Sequence, residues 1–100
     1  GPEAEKTIKN YYFDRLFLGV DGFDLEVGLT TPNPLEAQLN RLMVQMANEV
    51  IAVTDSSKFG RRSFSFICEL DEIDQIITDK DIPKQYTEGL KKRNISIITV

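Results

Sequence analysis

The run Ile51-Ala52-Val53-Thr54-Asp55-Ser56-Ser57-Lys58-Phe59-Gly60 ends an apolar, β-branched stretch in a carboxylate, two hydroxyls, an ammonium and a glycine. That set suits a small anion: Lys58 offers a point charge to a phosphate, and Ser56 or Ser57 a hydroxyl donor. In an open α/β sheet such groups gather at the carboxyl ends of parallel strands, where ligands bind. Arg61 and Arg62 follow, and read as a solvated basic turn that balances an acidic surface. A second cluster, Asp21-Gly22-Phe23-Asp24, closes another apolar run. Its glycine permits a tight turn with both carboxylates facing a cleft, where each accepts several hydrogen bonds from sugar hydroxyls. Turn capping uses the same residue types, so spacing alone leaves both roles open for Asp21 and Asp24.

Two further stretches carry polar groups. Gly28-Leu29-Thr30-Thr31 precedes a helix start at Asn33, a combination of loop amides and helix dipole that binds anions, although it is also ordinary loop chemistry. Glu69, Asp71, Glu72 and Asp74 form an acidic run that reads as a solvated face, because a metal site needs converging ligands.

The elements that must hold these groups follow from pattern. Glu3 to Tyr12 has helical composition, with Ala4, Ile8 and Tyr11 or Tyr12 near one face. Leu16 to Val20 reads as a short buried strand closed by Asp21-Gly22, and residues 28–34 as a loop. Asn33 is the expected N-cap, Pro34 the first helical position, and Glu36 sits at the helix's positive end. That helix is expected to run to about Asn48 and to bury a stripe of Leu35, Leu39, Leu42, Met43 and Met46. Val50 to Thr54 is the next strand. Ser63 to Cys68 alternates, with Phe64, Phe66 and Cys68 on one side, and reads as an additional strand. Leu70 to Ile73 makes a helical turn, Gln75 to Thr78 a third parallel strand, and Pro83 to Arg93 a helix with Tyr86 and Leu90 inward. Asn94 caps it and Ile95 to Val100 is a final strand. Strands alternating with helices imply a mostly parallel sheet covered on both faces, and the missing strand before the first helix implies part of a domain.

Composition narrows the functional classes. One hundred residues with 41% hydrophobic and 28% charged side chains describe one globular domain. A net charge of −4 argues against a nucleic-acid surface on this chain, since phosphate backbones demand clustered Lys and Arg. The absence of histidine removes His triads and His-based metal sites. Cys68, the only cysteine, lies beside Phe66 and Ile67 and reads as a buried inert thiol in a reducing, cytoplasmic setting. No apolar run approaches membrane-spanning length, and no membrane partner is expected.

The string Leu16-Phe17-Leu18-Gly19-Val20-Asp21-Gly22-Phe23-Asp24, then Gly28-Leu29-Thr30-Thr31, Glu36-Ala37 and Asp55-Ser56-Ser57-Lys58-Phe59-Gly60, resembles the DeoR family of bacterial sugar-metabolism repressors, from the first helix to Val100. Within it the sequence looks most like repressors of galactitol or N-acetylgalactosamine operons. The resemblance implies an α/β fold, a partial Rossmann-like sheet with flanking helices, similar to ribose-5-phosphate isomerase and CoA-transferase-like proteins. It implies the later part of a sugar-phosphate-sensing effector domain. The family's N-terminal winged helix-turn-helix, through which alone DNA would be bound, and the first strand and Thr-rich loop are expected to lie outside this chain. A phosphorylated sugar effector and homo-oligomerisation are the implied partners, with no cofactor and no metal.

The isomerases' Asp-Gly-x-Asp and Asp-x-Ser-Lys motifs match Asp21-Gly22-Phe23-Asp24 and Asp55-Ser56-Ser57-Lys58. The resemblance therefore implies Asp21 and Asp24 on sugar hydroxyls and Lys58 on phosphate, with Gly22, Thr30, Thr31, Asn33 and Glu36 completing the wall. The isomerases' Lys-Gly-Gly-Gly loop is replaced here, and Asn40 falls where their glutamate base belongs. An amide cannot abstract a proton at neutral pH. With Glu36 one turn earlier as the only substitute, sensing is expected rather than turnover; an isomerase-like enzyme is the alternative.

Overall fold

The computed structural model describes residues 2–9 and 12–100. In chain order the elements are helix α1 (Pro2–Lys9), strands β1 (Phe13–Gly19), β2 (Gly22–Asp24) and β3 (Gly28–Thr31), helix α2 (Pro34–Met46), strands β4 (Ala47–Val53), β5 (Ser65–Cys68) and β6 (Gln75–Thr78), helix α3 (Lys84–Lys92), and strand β7 (Ser96–Thr99). Short 3₁₀ turns at Ser56–Lys58 and Leu70–Glu72 link β4 to β5 and β5 to β6. The Tyr11 part of the expected α1 face, and the Ile8 side chain, lie outside the described residues; Tyr12 is exposed and not helical.

The main sheet is wholly parallel, in the order β1-β4-β6-β7. Its register places Leu18 beside Ala52, Ala52 beside Ile76 and Ile76 beside Ile97, a row of apolar side chains on one face. Ala37 and Val44 of α2, Tyr86 and Leu90 of α3, and Phe23, Leu29 and Ile67 join that face in a single core. Each large side chain buried there contributes about 1.5–3 kcal/mol.

The opposite face corrects an expectation. Phe17 is 61% exposed, Ile98 43% and Val53 41%, so among the described residues this face is largely uncovered, with Ile51 buried in its middle. The cause is topological. Successive parallel strands are added in one direction only, and right-handed crossovers in one direction all pass over the same side of a sheet. Covering the other face takes crossovers running the opposite way. For the same reason β1 is an edge strand, buried on one face only, rather than a buried strand over Leu16 to Val20.

A second sheet, antiparallel β2-β3-β5, was not foreseen. The stretch read as a loop, Gly28–Thr31, is its fully buried central strand. Between β3 and β5 the pairing slips: Leu29 faces Cys68 while Thr30 faces Phe66. The extra residue, Ile67, is a bulge that breaks the period of two. Ile67 and Cys68 are therefore both buried, and Phe64 and Phe66, expected inside with Cys68, are exposed.

Helix α2 begins as expected, with Asn33 Oδ1 accepting from the N–H groups of Leu35 (2.9 Å) and Glu36 (3.1 Å). It ends at Met46, before Asn48, because Ala47 already pairs with Phe13 in the sheet. Its most buried residues are Ala37 and Val44; Leu39, Leu42, Met43 and Met46 are half-buried and Leu35 is exposed. The turn at Leu70–Glu72, the parallel strand β6, and α3 with Tyr86 and Leu90 inward match the sequence reading. Asn94 adopts φ +60°, the left-handed conformation that ends a helix.

Candidate functional site

Strands β1 and β4 are neighbours and parallel, with Gly19 opposite Val53, so their carboxyl ends open side by side. A cavity of about 490 Å³ lies there, a usual size for a small-molecule site. Gly19, Val20 and Asp21 wall it from β1, and Val53, Thr54, Asp55 and Lys58 from β4. Glu36, in the first turn of α2, closes the third side. Three carboxylates thus face one ammonium.

The Asp55–Lys58 turn spends most of its N–H groups on partners within the protein. Asp55 Oδ1 accepts from the Ser57 N–H (2.9 Å) and from the Ser57 hydroxyl. The Ser57 hydroxyl first, then its N–H, hold the Asp55 carboxyl below the ordinary carboxylate value. The Lys58 N–H donates to the Asp55 carbonyl at 3.2 Å, and the Ser56 N–H to Asp79 Oδ2 at 2.7 Å. The N–H groups of Ser56, Ser57 and Lys58 are thus occupied, and the charge this turn offers an anion is the Lys58 ammonium. On the far side, the Gly60 N–H donates to the Phe23 carbonyl at 2.8 Å, and Phe59 packs on Phe23 with ring centroids 5.0 Å apart. That contact joins the two strand-end clusters.

In the first cluster the two carboxylates part company. Asp21 is exposed to the cavity, and its Oδ2 accepts from the Thr31 hydroxyl at 2.9 Å. Asp24 is 8% exposed and turns away: Oδ2 accepts from the N–H groups of Glu26 (2.9 Å) and Val27 (2.8 Å), and Oδ1 pairs with Arg62 at 3.2 Å. The Val27 N–H, against the opposing effect of burial, and the Arg62 guanidinium hold its carboxyl below the usual range. Asp24 is a turn cap and ion-pair partner in this structure, with its lone pairs committed. Arg62, read as a solvated turn residue, is its counter-ion, while also reaching Glu26 at 3.5 Å.

The remaining expected site residues build the wall from behind. Thr30 and Thr31 are each 2% exposed; Thr30 Oγ1 accepts from the Ser63 N–H at 2.8 Å, and Thr31 holds Asp21. Gly22 is needed for close packing, since a Cβ there would lie 2.7 Å from the Arg61 carbonyl. Asn33 spends its side chain capping α2. The structure therefore brings Asp21, Glu36 and Lys58 together, and places Gly22, Asp24, Thr30, Thr31 and Asn33 in supporting positions outside the cavity lining.

Asp79 was missed, although a signal existed. Val20-Asp21, Thr54-Asp55 and Thr78-Asp79 each end a strand of the parallel sheet in a carboxylate. Asn40 is half-buried in α2 and does not line the cavity. In the acidic run, Glu69 and Glu72 form a capping box and Asp74 accepts from the Val50 N–H at 2.8 Å. No group of three potential metal ligands converges among the described residues. Cys68 is buried, and desolvation, then Glu72 and Glu69, push its thiol up to about 12.

Residues 1–80 match the family model for the DeoR C-terminal sensor domain. The chain belongs to that family. A putative aga operon transcriptional repressor of Escherichia coli is 50% identical over 100 residues, all of this chain and 37% of that protein. The helix-turn-helix-type regulator GlpR of Haloferax volcanii is 43% identical over 98 residues, 38% of its length. The repressor GlcR of Bacillus subtilis is 37% identical over 94 residues, 36% of its length. The chain thus spans little more than a third of the curated relatives it matches. These relatives are named as regulators of transcription, not as enzymes. Among the described residues of this DeoR sensor chain, no helix is long and apolar enough to cross a membrane.

Proposed function

We propose that this chain is the effector-sensing part of a DeoR-type repressor and binds a phosphorylated sugar or sugar alcohol in the cavity at the ends of β1 and β4. The observation that carries this reading is the composition of that cavity: one ammonium, Lys58, set among the carboxylates of Asp21, Glu36 and Asp55. A polyol supplies hydroxyl donors to the carboxylates, and its phosphate supplies the anion for Lys58. Among the described residues Lys58 forms no ion pair, so its charge is available. Thr31 pre-orients Asp21, which lowers the ordering needed on binding.

DNA binding belongs, on this reading, to a helix-turn-helix module elsewhere in the full-length protein, which works as a homo-oligomer in the cytoplasm. The sugar phosphate acts by differing in affinity between the DNA-competent and released forms, since a ligand shifts an equilibrium only by that difference. Titration calorimetry of the full-length protein with galactitol phosphate, tagatose phosphate and galactosamine phosphate tests the site. One of these is expected to bind, and Lys58→Ala to weaken it roughly 10- to 150-fold, the equivalent of one charge-assisted hydrogen bond of about 1.5–3 kcal/mol. Absence of binding at millimolar ligand, or an unchanged affinity in Lys58→Ala, removes the assignment.

A further inference from the structure

We propose that Asp79 is a positioning residue for Lys58: its carboxylate ties the Asp55–Lys58 turn to the end of the neighbouring strand and so aims the ammonium into the cavity. The inference rests on the effector-site reading above. The Ser56–Lys58 turn is a single 3₁₀ turn whose own hydrogen bonds, Lys58 N–H to Asp55 carbonyl at 3.2 Å and Phe59 N–H to Ser56 carbonyl at 3.4 Å, are long. One turn of helix does not hold itself in water, because nucleation orders several residues for one bond. It must be held from outside, and two anchors do so. Its exit is fixed by the Gly60 N–H on the Phe23 carbonyl, 2.8 Å. Its entrance is fixed on β6, where the Thr54 N–H reaches the Ile77 carbonyl at 3.1 Å and the Ser56 N–H reaches Asp79 Oδ2 at 2.7 Å.

The second oxygen of Asp79 accepts from the Asp81 N–H at 2.9 Å, so the carboxylate is itself immobilised by the turn that follows β6. With both oxygens occupied by backbone donors, Asp79 forms no ion pair with Lys58 and does not line the cavity. It acts on the backbone from which Lys58 springs. A lysine loses rotamer freedom when it engages a ligand, and a fixed backbone root confines that loss to the side chain.

A double-mutant cycle in the full-length protein tests this, with the best-binding of the three sugar phosphates named above and unphosphorylated galactitol as probes. Asp79→Ala is expected to weaken the phosphorylated probe about 5- to 10-fold and leave galactitol unchanged. In a Lys58→Ala background it is expected to have no further effect, because a residue acting through Lys58 has nothing left to position. Asp79→Asn, which retains one acceptor for the Ser56 N–H, is expected to recover part of the affinity, and it carries the cycle if Asp79→Ala does not fold. Additive losses in the double variant overturn the proposal, as does equal weakening of both probes. If Lys58→Ala weakens binding while neither Asp79 variant does, positioning by Asp79 is wrong and the effector site stands. If Lys58→Ala itself is silent, both readings fall.

Discussion

Asp21 and Asp24 belong to one four-residue motif, yet they occupy different environments. Asp24 sits at 8% exposure with two backbone N–H groups and a guanidinium on its oxygens. Asp21 has a single side-chain donor, the Thr31 hydroxyl, and otherwise faces open cavity. A carboxylate whose acceptor capacity is filled by its own chain stabilises a fold; one with capacity left over can take a ligand. The same contrast holds between the two ends of the molecule's polar architecture. The β2–β3 corner, with Gly22, Asp24, Gly28 and Arg62, is closed. The β1–β4 end, with Asp21, Glu36 and Lys58, is open.

The largest expected effect lies in the closed corner. Gly28 adopts φ +103°, and a Cβ there would run into the Cys68 carbonyl of β5. The left-handed backbone alone costs a non-glycine residue about 1–2 kcal/mol, and overpacking against a strand adds about 1–3 kcal/mol. Gly28→Ala is therefore expected to lose several degrees or more of thermal midpoint in the full-length protein, or to fail to accumulate. An unchanged midpoint would show that this corner is less rigid than its geometry.

Next comes the pair itself. Asp24→Ala leaves the Glu26 and Val27 N–H groups without their acceptor, and unsatisfied donors of this kind cost about 1–3 kcal/mol. Denaturant unfolding should report that loss, with sugar-phosphate affinity per folded molecule unchanged. Asp21→Ala also costs stability, by about 1 kcal/mol, because the buried Thr31 hydroxyl loses its acceptor, but unlike Asp24→Ala it should lower affinity, by roughly 2- to 10-fold, one hydrogen bond's worth. If the two variants exchange phenotypes, the division between closed corner and open end is wrong.

This division was only partly legible in the sequence. Element types came through where the pattern was long or punctuated: Asn33-Pro34 at the start of α2, Tyr86 and Leu90 inward on α3, β-branched residues in β4 and β6. The second sheet did not, because β2 and β3 are three and four residues long and buried throughout, which leaves no alternation to read. The strand β5 itself was legible over Ser63 to Cys68, but the bulge at Ile67 shifts its phase, so the inward face of Phe64, Phe66 and Cys68 was not. At the site, residue type indicated which groups could do chemistry, and Lys58 and Asp21 do line the cavity. It did not indicate which were already engaged. Asp24 and Thr30 are committed to partners at Arg62 and Ser63, more than thirty residues away in the chain, and only the fold brings those together.

The smallest effect tests the closed corner by pH. Asp24, Asp55 and Asp79 all ionise below the ordinary value of 3.8, Asp24 because of the Val27 N–H and Arg62, Asp55 because of Ser57, and Asp79 because of the Ser56 and Asp81 N–H groups. Between that value and the lower folded one, the unfolded chain binds more protons than the folded chain, so acid favours unfolding. The contribution of each is complete above the unfolded value and is lost as pH falls through the folded one. Stability of the full-length protein should therefore decline on acidification below about pH 4, and Asp24→Asn should make that decline shallower by removing one contributor. A decline as steep in Asp24→Asn as in the wild type would mean that the Val27 N–H and Arg62 do not hold the Asp24 carboxylate in the folded protein, and the corner would not be closed around it.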